Sequence, residues 1–429
     1  MHYIRLLRPV SIETPTNNRR GGDVLSVLLT ITTDLGDSFF SPDKPLALGL
    51  TLGSSTGGRV VLACPADDKS PLQWRAGLRV LKAQLRLREP LPKDRTTVGI
   101  FARSSHQSKT PSTRPHWRHG YDDGQSELIV PVSVDMVNRK CAPVSLRKVP
   151  LPTSGDASSS DGNCDLELGE DIGESIARHI WDAGLVTASF LSDSCRDADA
   201  MVEILPALSD TLNILELGCG VGILGTTIAG IVGEVVASQG KKSLVEAHVL
   251  LTDVDEAEER ACANIARAEE VFERRDRLSS GGEDEDGDEH EHESEKERPR
   301  VVQLQYENLD WDDGRQGKFG PLAAARPWNF VVLSDCTYNV DSLPALIGTL
   351  SALHSHSSAA RAGREDGDSG AAETRVILAT KPRHASEEAL FGLLREQGWS
   401  HRVVKRIPLP RVNAEDEVVE IYMLEKGKK

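Results

Sequence analysis

The amino-acid sequence predicts an α/β protein with a doubly wound, mostly parallel sheet, an antiparallel C-terminal hairpin and a mainly β domain before them. Beyond residue 165, short apolar runs alternate with amphipathic helical patterns, as in TLNILELGCGVGILGTTIAGIVG and HVLLTDVDEAEERACANIA. Such alternation is typical of a parallel sheet covered on both faces. The last two strand-like runs, HRVVKRIPL and EVVEIYMLEK, are separated only by PRVNAED. Because this connection is too short for a crossover helix, we expect these strands to pair antiparallel.

The N-terminal part of the chain is predicted to form its own β domain over residues 1–150. Strand-like runs such as DVLSVLLTITTDLG, GRVVLAC and ELIVPVSVDMV are separated there by Gly, Pro, Asp and Ser, which favour turns. A linker follows at residues 151–165, where LPTSGDASSSDGNCD contains almost no large apolar side chains. The α/β domain then covers residues 166–429 and contains two predicted insertions, a disordered acidic one at 277–300 and a flexible one at 355–373.

Charge and cysteine usage restrict the functional classes. The chain carries a formal net charge of −16, of which GGEDEDGDEHEHESEKERPR, from Gly281 to Arg300, contributes −7. An acidic chain disfavours duplex nucleic acid as a partner, because nucleic-acid binding depends on neutralising phosphates. The seven cysteines are scattered singly without a CxxC pair. This pattern predicts neither a disulfide framework nor a metal site, and it favours a reducing compartment.

The sequence contains no candidate membrane segment. No uninterrupted apolar run reaches the roughly 20 residues that span a bilayer. The N-terminus MHYIRLLRPVSIETP also lacks the apolar core of a signal peptide. We therefore expect an intracellular protein of the cytoplasm, and also of the nucleus, that is monomeric and does not associate with membranes.

A glycine turn follows the first predicted strand of the α/β domain. In NILELGCGVGILG the strand ends at Leu217, and glycines follow at Gly218, Gly220 and Gly222. Glycines permit a tight turn and let backbone N–H groups approach a ligand at the positive end of the next helix. Together with Gly225, the last two glycines also satisfy the dinucleotide pattern GxGxxG, so a nicotinamide enzyme is one interpretation.

Three features disfavour that interpretation. Glu216 lies two residues before the first glycine, where a carboxylate could accept a hydrogen bond from the ammonium group of a ligand. The acidic end of the second strand, Asp253 and Asp255, comes about 35 residues after the first glycine, beyond the approximate 20 of the dinucleotide fingerprint. The antiparallel terminal hairpin is also foreign to a simple doubly wound dinucleotide fold.

The motif ELGCGVG resembles the cofactor loop of class I S-adenosylmethionine-dependent methyltransferases, whose sheet carries a reversed last strand. The ordered set WDAGL, LELGCGVGILG, LLTD, LDW and SDCTYN, within Glu174 to Lys429, is similar to that of the seven-β-strand protein-lysine methyltransferases, methyltransferase family 16. This resemblance implies a Rossmann-like sheet of seven strands and S-adenosyl-L-methionine as the cofactor. The β domain lies outside the match, and substrate recognition is its expected role.

The resemblance also implies which residues bind the cofactor. The candidates are Trp181, Glu216, Gly218, Cys219, Gly220, Gly222, Asp253, Asp310, Trp311 and Ser334. Within this set the glycine loop holds the methionine part, and NLDW, including Leu309, forms the adenine side. Asp253 accepts from the two ribose hydroxyls, with Asp255 as the weaker alternative. Two alternative interpretations stay open. NLDW could be an ordinary loop, and Trp181 could be a core residue.

The resemblance assigns the substrate side to Asp335 and Tyr338 in VVLSDCTYNVDS. The family carries an acidic residue, two variable residues and an aromatic one after its fourth strand. Methyl transfer is an in-line displacement at a sulfonium carbon, so the protein mainly holds a neutral amine about 3 Å from the methyl group. A carboxylate and an aromatic ring one turn apart can orient the amine and exclude water. In the alternative interpretation Asp335 is a helix N-cap and Tyr338 packs in the fold.

The expected function is methyl transfer to a lysine side chain of a protein substrate, which would be the partner. Two alternatives stay open: a small-molecule N-methyltransferase acting on a pyridine or amine, and a non-catalytic binding module that retained the fold. A nucleic-acid amino-methyltransferase is disfavoured, because DCTY does not match the acidic-Pro-Pro-aromatic motif of those enzymes. The sequence also lacks a basic, aromatic-rich segment that would bind RNA bases.

Overall fold

The chain divides into two compact units. In a computed structural model of the 429-residue chain, the structure describes residues 1–13, 23–54, 64–65, 72–87, 91, 95–103, 129–152, 165–173, 176–195, 211–239, 246–280, 302–363, 373–409 and 417–427. One unit combines Met1–Lys148, Leu168–Asp182 and Pro408–Val418, and the other combines Val149–Glu167, Ala183–Ile407 and Val419–Lys429. Most of the predicted linker and most of the predicted acidic insertion lie outside the described residues.

The N-terminal part of the chain is mainly β, as the sequence predicts. Its strands are β1 (His2–Leu6), β2 (Ser11–Glu13), β3 (Val24–Thr32), β4 (Leu46–Ser54), β5 (Cys64–Pro65), β6 (Gln73–Trp74), β7 (Leu81–Arg86), β8 (Thr96–Ala102), β9 (Ile129–Val130), β10 (Val132–Val137), β11 (Lys140–Cys141), β12 (Val144–Pro150) and β13 (Asp165–Asp171). One sheet has the order β5-β7-β3-β1-β9, with β2 paired to β3. The second has the order β13-β12-β10-β8-β4-β6, with β11 paired to β10.

Buried side chains from both of these sheets form one hydrophobic core. In β10, the alternate residues Val132, Val134 and Met136 are buried, whereas Ser133 and Asp135 are more exposed. This alternation follows from the two-residue side-chain period of a strand. The strand therefore contributes one apolar face to the core and turns its polar face away from it.

The C-terminal part of the chain contains a sheet built from β14 (Thr211–Leu217), β15 (Glu246–Asp253), β16 (Val302–Asn308), β17 (Phe330–Ser334), β18 (Arg375–Thr380), β19 (Trp399–Leu409) and β20 (Glu417–Lys426). The strand order is β16-β15-β14-β17-β18-β20-β19. Strands β14 to β18 pair in parallel with their neighbours, and β20 pairs antiparallel with β18. The carboxyl ends of the parallel strands therefore meet at one edge, where open α/β sheets bind ligands.

The predicted C-terminal hairpin is confirmed. β19 and β20 are neighbours at the end of the sheet. The backbone N–H of Gly427 donates to the carbonyl of Gly398 at 3.0 Å, and Arg406 pairs with Glu420 at 2.7 Å. These contacts join residues before and within β19 to residues after and within β20 in reverse order, so the two strands run antiparallel.

The helices that accompany this sheet are α1 (Asp182–Ser194), α2 (Ile223–Gln239), α3 (Asp255–Ser280), α4 (Trp311–Gly314), α5 (Pro321–Ala324), α6 (Leu343–Ala362) and α7 (Ala389–Glu396). Helix α6 extends into the segment 355–373 for which the sequence predicts a flexible insertion, and residues 364–372 lie outside the described part. Within the described ranges, no helix is both long and apolar enough to cross a bilayer.

Candidate functional site

The glycine loop between β14 and α2 forms the centre of the carboxyl edge of the sheet. Gly218, Gly220 and Gly222 have φ angles of 63°, 53° and 80°, which side chains with a Cβ rarely adopt. A Cβ on Gly222 would also lie 2.5 Å from Leu251 Cδ2. The loop is fixed to the neighbouring strand by the N–H of Cys219, which donates to the carbonyl of Thr252 at 3.0 Å.

The Glu216 carboxyl lies beneath this loop. It is 1% exposed, and its Oε2 accepts the N–H of Gly225 in the first turn of α2 at 2.9 Å. Burial raises the pKa of this carboxyl to about 8, against the opposing effect of the Gly225 hydrogen bond and with a further contribution from Asp253. From its place in the sequence, Glu216 is predicted to accept a hydrogen bond from the ammonium group of a ligand. In the structure this carboxyl accepts a hydrogen bond from the first turn of α2. Its contact with a ligand stays a prediction.

The Asp253 carboxylate lies beside the same loop at the end of β15. Its Oδ2 accepts the N–H of Gly220 at 2.7 Å, and its Oδ1 accepts the N–H of Val254 at 2.8 Å. Burial raises the pKa of Asp253, although both hydrogen bonds oppose the shift. Asp255, the weaker candidate, is exposed at the start of α3. The structure therefore joins Asp253, and not Asp255, to the glycine loop by a direct hydrogen bond.

Trp311 also contacts the glycine loop. A Cβ on Gly218 would lie 3.1 Å from Trp311 Cζ2 and 2.6 Å from Cys336 Sγ, so the indole and the thiol both border this glycine. Asp310 is the N-cap of α4 and accepts the N–H of Asp312 at 2.7 Å. The cap begins α4 at Trp311, the residue whose ring borders Gly218.

Asp335 occupies a strained position directly after β17. Its φ is +54°. This left-handed conformation has a free-energy cost for any residue other than glycine. Its Oδ2 accepts the backbone N–H groups of Ala183 and Gly184 in the first turn of α1, at 2.6 and 3.2 Å. Its Oδ1 accepts from Arg383 Nη1 at 2.9 Å. The carboxylate therefore caps a helix, as the alternative interpretation supposes, but that helix is α1 and not the one that follows β17.

The remaining residues of the DCTY motif have distinct surroundings. Cys336 is buried, and its Sγ lies 3.4 Å from the carbonyl oxygen of Leu217. Thr337 is also buried, and its hydroxyl lies 2.7 Å from that of Thr380. Tyr338 is 51% exposed, and partial burial is the main cause that raises its pKa. Tyr338 is thus the member of the motif whose side chain most readily meets another molecule.

Two further predicted residues complete the set. The Ser334 hydroxyl borders α1, since a Cβ on Gly184 would lie 3.2 Å from Ser334 Oγ. Trp181 belongs to the compact unit that includes the N-terminal strands, and its indole N–H donates there to the carbonyl of Ile176 at 3.1 Å. A role for Trp181 in cofactor binding stays a prediction.

The segment that follows β18 also contacts the DCTY motif, although the sequence did not predict it. Arg383 pairs with Asp335, and the Glu387 carboxylate accepts the Thr337 hydroxyl at 3.0 Å. The signal available was the strand TRVILAT, which precedes Lys381 and Arg383. Because parallel strands end at the same edge of a sheet, this pattern could have predicted that basic residues directly after the strand lie at the site.

The residues at this edge fit S-adenosyl-L-methionine. A nucleoside needs an acceptor for its ribose hydroxyls and apolar surface for its base. Asp253 is partly exposed, and the apolar side chain after it, Val254, is 40% exposed. The glycine loop presents backbone rather than side chains next to this carboxylate. In the described ranges, no group of three or more His, Cys, Asp or Glu side chains is arranged to hold a metal ion.

Comparison with known proteins supports the same interpretation. A sequence model described as lysine methyltransferase matches residues 160–278 and 293–397, slightly more than half of the chain. A protein of Schizosaccharomyces pombe, described as a UPF0665 family protein, is 24% identical over 258 residues, which are 60% of this chain and 55% of the relative. The chain thus spans about half the length of that curated relative.

Solved structures show weaker likeness. TYW2 of Pyrococcus horikoshii, in complex with MeSAdo, is 10% identical with a TM-score of 0.30, over 68% of this chain and 75% of that one. Magnesium protoporphyrin IX methyltransferase of Synechocystis, with bound SAH, is 13% identical with a TM-score of 0.27, over 59% of this chain and 90% of that one. The family assignment therefore depends on the sequence match and not on these structures.

Proposed function

Because this chain belongs to the lysine methyltransferase family, whose cofactor is S-adenosyl-L-methionine, we propose that it transfers a methyl group to a lysine side chain of a protein substrate. The observation that carries the proposal is the contact between the DCTY motif and the glycine loop. Cys336 Sγ lies 3.6 Å from the carbonyl oxygen of Gly218, the first glycine of this loop. Residues proposed for the substrate side therefore adjoin residues proposed for the cofactor.

The cofactor supplies an electrophilic methyl group on a sulfonium, and the protein supplies positioning. Asp253 and the glycine loop hold the nucleoside and the amino-acid tail. Asp335 and Tyr338 orient the lysine amine, which has lost its proton to solvent. A well-oriented pair of reactants reacts far faster than the same pair in solution, so this role needs no strong general base. We also propose that the mainly β N-terminal part of the chain binds the substrate protein.

Two measurements test the proposal. Calorimetric titration with S-adenosyl-L-methionine should show one binding site, and titration with NADH should show none. Incubation with methyl-labelled cofactor and a cell lysate should then label protein. The labelled material should survive treatment with nuclease and be degraded by protease. Label confined to the low-mass fraction would favour the small-molecule alternative and contradict the lysine proposal. Cofactor binding without any transfer would favour the non-catalytic module.

A matched pair of variants tests the substrate side. Asp335→Asn should lower the labelling rate by about 100-fold, since a small misplacement of reacting groups costs this much, while Asp341→Asn should leave it unchanged. Asp341 lies on the exposed surface three positions after Tyr338. Equal labelling rates in the two variants would remove Asp335 from the substrate side.

A further inference from the structure

The backbone of Asp335 is held in a conformation that it would not adopt alone. Its φ of +54° makes it the one residue other than glycine with a positive φ among the described residues after Arg139. Asp tolerates this region better than most residues but still at a cost in free energy. Such a conformation persists only where the surroundings determine it, so the contacts of Asp335 must supply the constraint.

These contacts approach Asp335 from three elements. Its N–H donates to the carbonyl of Ala379 in β18 at 3.0 Å. Its carboxylate accepts two backbone N–H groups at the start of α1, from Ala183 and Gly184. The third partner, Arg383, lies in the segment after β18 and approaches Oδ1 to 2.9 Å. The side chains of this ion pair are only 8% and 4% exposed, so water cannot replace the guanidinium without rearrangement.

The same segment also holds Thr337, two residues further along the motif. The Glu387 carboxylate accepts the Thr337 hydroxyl at 3.0 Å through Oε2. Its Oε1 accepts the backbone N–H of Arg383 at 2.8 Å and that of His384 at 3.1 Å. Glu387 therefore fixes the backbone that carries Arg383 and the residue that precedes Tyr338. The motif is held at Asp335 and at Thr337 by one short stretch of chain.

We infer that Arg383 is a positioning residue for methyl transfer, which acts through Asp335 and not by contact with the reacting atoms. The inference rests on the proposed function. The guanidinium compensates the negative charge of the buried carboxylate and holds Oδ1, the oxygen that does not bond to α1. Without it, Asp335 can leave the left-handed conformation, and Tyr338 moves with it. The amine would then bind without the alignment that the displacement requires.

Three variants test the inference. Arg383→Met should lower the maximal labelling rate of lysate protein by about 100-fold and leave the affinity for S-adenosyl-L-methionine within about threefold. Arg383→Lys, which keeps the charge with a different geometry, should recover at least part of the rate. The control is Arg406→Met, which removes an arginine whose ion pair with Glu420 is exposed. The inference is refuted if Arg383→Met and Arg406→Met label at the same rate.

A second measurement separates this inference from the proposed function. Hydrogen exchange of the intact chain should be about tenfold faster or more in Arg383→Met for the amides of Ala183 and Gly184, which then donate to a mobile carboxylate. The expected increase does not depend on which substrate is methylated. Unchanged exchange would overturn the positioning role even if lysine is methylated. Absence of protein labelling by the unaltered chain, together with faster exchange in the variant, would overturn the proposed function alone.

Discussion

Replacement of Gly218 by alanine should destabilise the protein by two separable effects. The residue has a φ of +63°, and a Cβ there would lie 2.6 Å from Cys336 Sγ and 3.1 Å from Trp311 Cζ2. A left-handed conformation costs an alanine roughly 1–2 kcal/mol, and overpacking of a tight site costs about 1–3 kcal/mol. The expected loss of unfolding free energy is therefore about 2–5 kcal/mol, a large part of the total for a typical protein.

Gly317 provides a matched control for the first effect. Its φ is +73°, but a Cβ there would meet no atom within 4 Å. Gly317→Ala should therefore cost only the conformational part, roughly 1–2 kcal/mol. Urea denaturation of both variants measures the difference, which reports the contact with Cys336 and Trp311.

The site itself gives the second readout. Gly218→Ala should weaken S-adenosyl-L-methionine binding in calorimetry, whereas Gly317→Ala should not. Adding Cys336→Ala to Gly218→Ala should return part of the lost stability, because it removes the nearer of the two atoms that the new methyl group meets. Equal losses of stability in the two glycine variants would show that the contact with Cys336 and Trp311 contributes nothing.

Three other changes have defined outcomes. Asp253→Asn should weaken cofactor binding by about tenfold or more, equivalent to about 1.4 kcal/mol. Calorimetry measures this affinity, and a change of less than about twofold would contradict the prediction. The native Glu216 carboxyl keeps its proton up to about pH 8, whereas its unperturbed pKa is 4.5. Between pH 4.5 and about pH 8, unfolding therefore releases a proton from this carboxyl. The unfolding free energy should therefore fall as pH rises through this window, by up to about 1.4 kcal/mol per pH unit. The fall should be less steep in Glu216→Gln. Equal slopes of unfolding free energy against pH in the two proteins would contradict this expectation. Arg147→Met leaves the buried Glu170 carboxylate, 2% exposed, without its guanidinium and should cost about 3–5 kcal/mol. Arg95→Met, at a pair whose arginine is 40% exposed, should cost less than about 1 kcal/mol in the same denaturation assay.

The sequence predicted the elements that are coded locally. The alternation of strands and helices, the glycine turn and the short connection between β19 and β20 all depend on neighbouring residues. Local pattern also placed Asp253 at the end of an apolar run, and the structure joins this residue to the glycine loop by a hydrogen bond. In each case the information lies within one or two elements of the chain.

The sequence did not predict contacts that depend on tertiary distance. Asp335 and Arg383 are separated by 48 positions, and Asp335 and Ala183 by 152. Nothing in the DCTY motif indicates that its carboxylate caps α1 rather than the following helix. Similarly, Thr337 has no evident role in the sequence, and its hydrogen bond to Glu387 arises only when the segment after β18 folds back on the motif.

The chemical identity of the methylated product tests protein-lysine methylation most directly. Labelled lysate protein would be hydrolysed in acid, and the radioactive amino acid would be separated by chromatography. We predict that the label elutes with Nε-methylated lysine and that Asp335→Asn removes this peak. Label in another amino acid, in nucleic acid or only in small molecules would contradict it.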